Sequence, residues 1–181
     1  MKKYRLLFLS VFCIIVMFLT TGCGGLKVYS DLEPPDTELS EYRALEIADF
    51  ETEIPDVPDD ALTKIPDEVA EQLNSKRGGF EEVERGVINN VPPEETLVLI
   101  GVVTDFQSGA DVEFEGGSVR FGEAAILIQI SLVEEATGRE ISTGSVGGFS
   151  SFGFFRGGIV KKRVYEDLAQ EIVKFISDNY N

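Results

Sequence analysis

The chain has 181 residues, with 16 Lys and Arg against 32 Asp and Glu, no histidine and two cysteines, for a formal net charge of −16. So acidic a chain repels nucleic acid and anionic headgroups at long range, which excludes a DNA- or RNA-binding role. Without histidine and with cysteine scarce, the usual general base, the commonest metal ligand and a structural zinc site all drop out. Only carboxylates remain for acid–base or metal work.

The first element is a secretory signal. "MKKYR" carries three cations, and "LLFLSVFCIIVMFLT" at 6–20 is apolar with only hydroxyl residues interspersed. Fifteen such residues are too few for a comfortable membrane-spanning helix, which needs about 20. The glycines of "GCGG" then disfavour further helix. A small residue directly before Cys23 resembles the lipobox of bacterial lipoproteins, with Thr20 where that pattern usually has Leu. The resemblance implies a diacylglyceryl group on the Cys23 sulfur, further acylation of the palmitate type, and cleavage of residues 1–22. The alternatives are an uncleaved anchor or a soluble secreted protein. Cleavage leaves 159 residues, enough for one domain with a real core. Losing Lys2, Lys3 and Arg5 takes the net charge from −16 to −19. Cys13 departs with the signal and Cys23 is capped, so the mature chain has no disulfide to stabilise it.

Residues 23–41 read as a lipidated cysteine followed by a flexible tether, with a short strand conceivable around Lys27–Tyr29. Fully extended, the eighteen residues after the cysteine reach roughly 60 Å. Residues 42–181 read as a single α/β domain. "EYRALEIADFE", 41–51, is the expected first strand, and "ETEIPDVPDD" is an acidic loop. Asp59 or Asp60 caps a helix whose stripe is Leu62, Ile65, Val69 and Leu73. Pro66 falls inside that pattern, so a kink or a fresh start is expected there. "KRGG" ends the helix. "FEEVERG", 80–86, is a short strand and "INNVPPEE" a connector. "TLVLIGVVTDF", 96–106, is a strong strand, apolar on both faces. Residues 107–122 form a glycine-marked loop or irregular hairpin. "EAAILIQISLVEE" and "EISTGSVGGF" form a hairpin around "ATGR". An amphipathic helix closes the chain, striped by Val164, Leu168, Ile172, Phe175 and Ile176.

This order predicts an α/β fold: a mixed sheet of about five strands with helices packed mainly on one face. Two central strands are apolar on both sides, yet only two long helices are expected. Either a loop covers the second face or another protein meets it, and loop cover is the expectation because large exposed apolar patches are uncommon.

The motifs argue against catalysis. The Gly/Phe segment 144–158 lacks the Lys-Ser or Lys-Thr of a phosphate loop, and no Gly-x-Ser-x-Gly elbow occurs. It reads either as a linker or as a contact surface anchored by Phe149, Phe152, Phe154 and Phe155. Lys161, Lys162 and Arg163 stand at a helix start, where the dipole disfavours cations. They serve solubility or dock an acidic group. The acidic run Glu51, Glu53, Asp56, Asp59 and Asp60 lacks the spacing of a calcium loop. No cofactor, no metal and no small-molecule substrate is expected, and the chain reads as a non-enzyme.

"EIADF", "GGFEEV", "LVLIGVVTDFQSG" and "ILIQISLVEEATGREI", followed by a glycine-rich segment and a final helix, resemble the lipoproteins that carry domain of unknown function 4410. That family is similar in design to the curli secretion channel lipoprotein and to penicillin-binding-protein activator lipoproteins. The resemblance runs from about Arg43 to Tyr180. It implies a sandwich like the N-terminal domain of TolB-type proteins and no catalytic residues. By resemblance to sorted lipoproteins, Gly24 after the cysteine implies the outer membrane, facing the periplasm. The functional expectation is a non-catalytic, lipid-anchored envelope protein that binds other envelope proteins. The alternative is a homo-oligomeric accessory of a secretion or assembly machine.

Overall fold

The computed structural model describes residues 26–76, 79–107, 110–114, 117–121, 124–150 and 159–180. The expected α/β class is present, but the main sheet has seven strands rather than about five. In chain order they are β1 (Leu26–Leu32), β2 (Ala44–Ile47), β3 (Glu51–Thr52), β4 (Glu82–Arg85), β5 (Thr96–Gln107), β8 (Ala124–Glu134) and β9 (Glu140–Ser150). β6 (Ala110–Phe114) and β7 (Gly117–Phe121) pair as a separate two-stranded hairpin. The spatial order is β1-β9-β8-β5-β2-β4, and β3 continues beside β5 beyond the end of β2.

β1 extends the short strand left open around Lys27–Tyr29 to seven residues, and β3 begins at the end of the strand expected at 41–51. Leu26–Leu32 lies antiparallel on β9, with Leu26 opposite Ser150 and Leu32 opposite Gly144. The stretch read as tether thus joins the sheet at Leu26. It pairs because β9 otherwise offers an open edge, with unpaired N–H and C=O groups along its length. The expected strand at 41–51 splits into β2 and β3, because Phe50 turns inward between them and is 2% exposed.

β2 is buried at all four positions and runs parallel to both β4 and β5. Parallel neighbours need a crossover, which α1 (Asp59–Lys76) supplies. Asp59 and Asp60 in its first turn favour the positive end of the helix dipole. α1 continues through Pro66 without the expected break. Proline removes the N–H that would bond the Leu62 carbonyl one turn back. Here the Phe50 N–H takes that acceptor instead, at 3.0 Å.

β8 and β9 form the expected hairpin around residues 135–139. Gly138 holds φ +70, a left-handed conformation suited to glycine, and its N–H donates to the Glu134 carbonyl at 2.8 Å.

α2 (Ile159–Asn179) packs beside α1 and over β1 and β9. Its residues Leu168, Ile172, Val173 and Ile176 are fully buried in one cluster with Leu45, Leu97, Leu99, Ile128 and Ile130. Both helices therefore cover the same sheet face. Hydrophobic burial on that face, at about 25 cal/mol per Å² of apolar area, is the main stabilising term.

Candidate functional site: the second face of the sheet

Alternation along β5 and β8 sends every second side chain away from the helices. On the helix side Leu97, Leu99, Val103, Ile126, Ile128, Ile130 and Leu132 are all buried. On the other side Val98, Ile100, Val102, Leu127 and Val133 are only half-buried. Cross-strand pairing puts Val98 beside Val133, Ile100 beside Ser131 and Val102 beside Gln129.

A polar ladder lies next to this apolar strip, on β8 and β9. Gln129 Nε2 donates to Thr143 Oγ1 at 2.9 Å, and Ser145 Oγ donates to Gln129 Oε1 at 3.1 Å. Ser131 Oγ donates to Glu140 Oε2 at 2.7 Å. Toward the β1 edge the ring of Tyr29 lies across Gly147, in the space a side chain there would need, and is 47% exposed. Lys27 Nζ stands 5.8 Å from the centre of the Phe149 ring, a cation–π distance.

Among the described residues, the expected loop cover is seen at one end of this face. Ile88 and Val91, from the connector between β4 and β5, pack on Ala44. Glu46 beneath them is 6% exposed, and its Oε1 accepts the Ile88 N–H at 2.6 Å. Over the middle of the face, on β5 and β8, the described side chains stay half-buried. Glu135 sits at the covered end. Burial, then the charges of Glu46 and Glu94, push its carboxyl above the ordinary range. Its Oε2 is buried without a hydrogen-bond partner.

Of the residues singled out from sequence, Phe149 lies in β9, half-buried, opposite Lys27 on one side and Ala125 on the other. The first part of the Gly/Phe segment, 144–150, is thus strand. Phe152, Phe154 and Phe155 lie outside the described residues, as does Cys23. Among the described residues no group of three or more His, Cys, Asp or Glu is placed to hold a metal ion. Sequence reasoning marked β5 and β8 as apolar on both sides, but not which side would stay half-buried.

No family model and no curated protein matches the sequence. The resemblance to the family of unknown function 4410 therefore rests on its quoted motifs alone. Solved structures do match. The PelC dodecamer from Paraburkholderia phytofirmans superposes with a TM-score of 0.56 at 16% identity, over 83% of this chain and 98% of that one. Protein XCC0632 from Xanthomonas campestris, of the family model DUF330, gives 0.50 at 14% identity, over 82% and 90%. Lipoprotein GNA1162 from Neisseria meningitidis gives 0.42 at 18% identity, over 71% and 97%. At these identities the likeness is one of fold.

Proposed function

We propose that this chain is a non-catalytic, lipid-anchored component of the bacterial cell envelope, facing the periplasm, and that it works by protein contact through the second face of its sheet. A second copy of the chain is the occupant we assign to that face. The carrying observation is the contrast between faces: the strip of Val98, Ile100, Val102, Leu127 and Val133 stays half-buried, while its counterpart under the helices is fully buried. Sheets with both sides apolar are normally covered on both. The dodecameric state of PelC, which shares the fold, supports self-association as the means of cover. Anchoring rests on the signal grammar before Cys23.

The test is the native mass of the protein extracted from its own membranes in mild detergent, alongside Ile100→Glu. A multiple of the protomer mass that falls to one protomer in the variant, with unchanged circular dichroism, supports the reading. A monomeric parent overturns self-association. A complex with one different protein returns the function to binding another envelope protein.

A further inference from the structure

We propose that the end of the domain where β1 leaves the anchor, with Lys27 and with Lys161, Lys162 and Arg163 at the start of α2, rests directly on an anionic bilayer surface. The inference builds on the reading of Cys23 as the acylated residue and adds an orientation to it.

Four observations converge. The first is distance. β1 begins at Leu26, only three residues after Cys23, so the chain between them spans at most about 11 Å. The domain is held at the bilayer rather than on a long tether. β1 cannot peel away freely, because it is paired along its whole length with β9 and Tyr29 is seated on Gly147.

The second is which parts of the fold share that end. Leu26 is opposite Ser150, and Lys27, Phe149, Ala125 and Gln107 form one row across four strands. α2 starts there as well. Its Val164 and Leu168 lie 3.6 and 3.4 Å from the position a Cβ on Gly148 would occupy. Its far end lies at the opposite edge, where Tyr180 donates to the Tyr42 carbonyl at 3.2 Å and Tyr42 donates to Glu134 Oε1 at 3.1 Å.

The third is charge. Residues 1–30 and 141–165 contain no Asp or Glu, in a chain that has 32. These two stretches supply β1 up to Ser30 and β9 from Ile141, which pair with each other, and the first turns of α2; Asp31 and Glu140 lie toward the other ends of those strands. The two stretches place Lys27 at the start of β1, on the second face of the sheet, and positions 161–163 at the start of α2, on the helix side of the same end. Acidic residues do stand toward this end: Asp105 on β5, Glu51 on β3, Asp111 and Glu113 on β6, Asp59 and Asp60 on α1, with Asp60 accepting from the Tyr165 hydroxyl at 3.2 Å, and Glu166 and Asp167 one step further along α2.

The fourth is the cost of the arrangement. Cations in the first turn of a helix oppose its dipole, and Arg163 is exposed. A layer of lipid phosphates beside them reverses that cost. The net negative charge of the domain repels such a surface at long range. Attraction at this end acts over a Debye length, about 8 Å at physiological salt, which is comparable to the span of at most about 11 Å that the anchor allows.

The test uses the full-length protein purified with its lipid and reconstituted into vesicles of phosphatidylethanolamine, with or without phosphatidylglycerol. A fluorophore is placed on Arg163→Cys or on Asp178→Cys and quenched by a nitroxide on the lipid headgroup. Both sites are exposed on α2. Fifteen residues of helix separate them by about 22 Å, so quenching at 163 is expected to exceed that at 178 about threefold. Adding Lys161→Gln and Lys162→Gln should lower quenching at 163 by about half, only in vesicles containing phosphatidylglycerol. Equal, weak quenching at both sites in protein whose mass shows the acyl chains overturns the orientation. Quenching at 163 that ignores both the substitutions and the anionic lipid overturns the electrostatic contact. A mass without acyl chains overturns the anchoring reading itself, and the inference with it.

Discussion

The Phe50 N–H donates to the Leu62 carbonyl at 3.0 Å, filling the acceptor that Pro66 leaves without its helical donor. One hydrogen bond thus joins the chain between β2 and β3 to α1 and allows a proline in mid-helix. The Phe50 ring is held in turn by Gly101 on β5, since a Cβ there would lie 2.5 Å from Phe50 Cδ1. Gly101→Ala should push the ring aside and break this link, at a cost of about 1–3 kcal/mol. Urea denaturation should show a lower midpoint with an unchanged slope, and the Phe50 amide should lose hydrogen-exchange protection ahead of the rest of the core. Retained protection would mean that the ring and the amide are independent.

Glu135 should make the fold less stable as pH rises. Its carboxyl holds a proton more tightly folded than unfolded, because of burial and then the charges of Glu46 and Glu94. The penalty is absent below the ordinary carboxylate value, about 4.3, and grows as pH climbs through the raised folded value. Neighbouring Glu134 has the opposite sign. Hydrogen bonding from Thr137 first, then from Tyr42, with Arg139 nearby, holds it below the ordinary range, so its contribution is lost only as pH falls through that lowered value. Glu135→Gln should raise Tm at pH 7 by about 2–4 °C, and the gain should vanish near pH 4. Thermal melts of both proteins across that range check this, and a gain that does not depend on pH would assign the effect to packing.

Arg85 ties β4, β2 and α1 together. Its Nε donates to Asp67 Oδ1 at 2.8 Å, its Nη1 to the Ile47 carbonyl at 2.5 Å, and its Nη2 pairs with Asp49. A single ammonium cannot match that fork. Arg85→Ala should cost about 1.5–3 kcal/mol, from charge-assisted bonds to a partly buried side chain. Arg85→Lys should recover less than half of it. Denaturant midpoints for the three proteins decide the matter.

Cys23→Ser should move the protein from the membrane fraction to the soluble periplasmic fraction, because stable attachment needs more than one acyl chain. Fractionation with washing in high salt separates this from surface charge. A variant that stays bound after the wash would point to an uncleaved anchor.

The periodicity of the chain determined most of the elements. The apolar, β-branched runs at 96–103 and 124–133, bounded by turn residues, read as strands, and the stripes from Leu62 to Leu73 and from Val164 to Ile176 read as helices, because each stripe buries one continuous face. It also marked Phe149 and the cations of α2. Three decisions lay beyond it, and each depends on a partner distant in sequence. Leu26–Leu32 became a strand because β9 has a free edge and a glycine where the Tyr29 ring can lie. α1 passed through Pro66 because Phe50, sixteen residues earlier, supplies the missing donor. Among the described residues, the second face gains cover over Ala44 and Glu46 from Ile88 and Val91, residues more than forty positions later in the chain. A local pattern states which residues seek burial. Only the folded chain decides which of them find a neighbour, and at Val98, Ile100 and Val102 burial stops halfway.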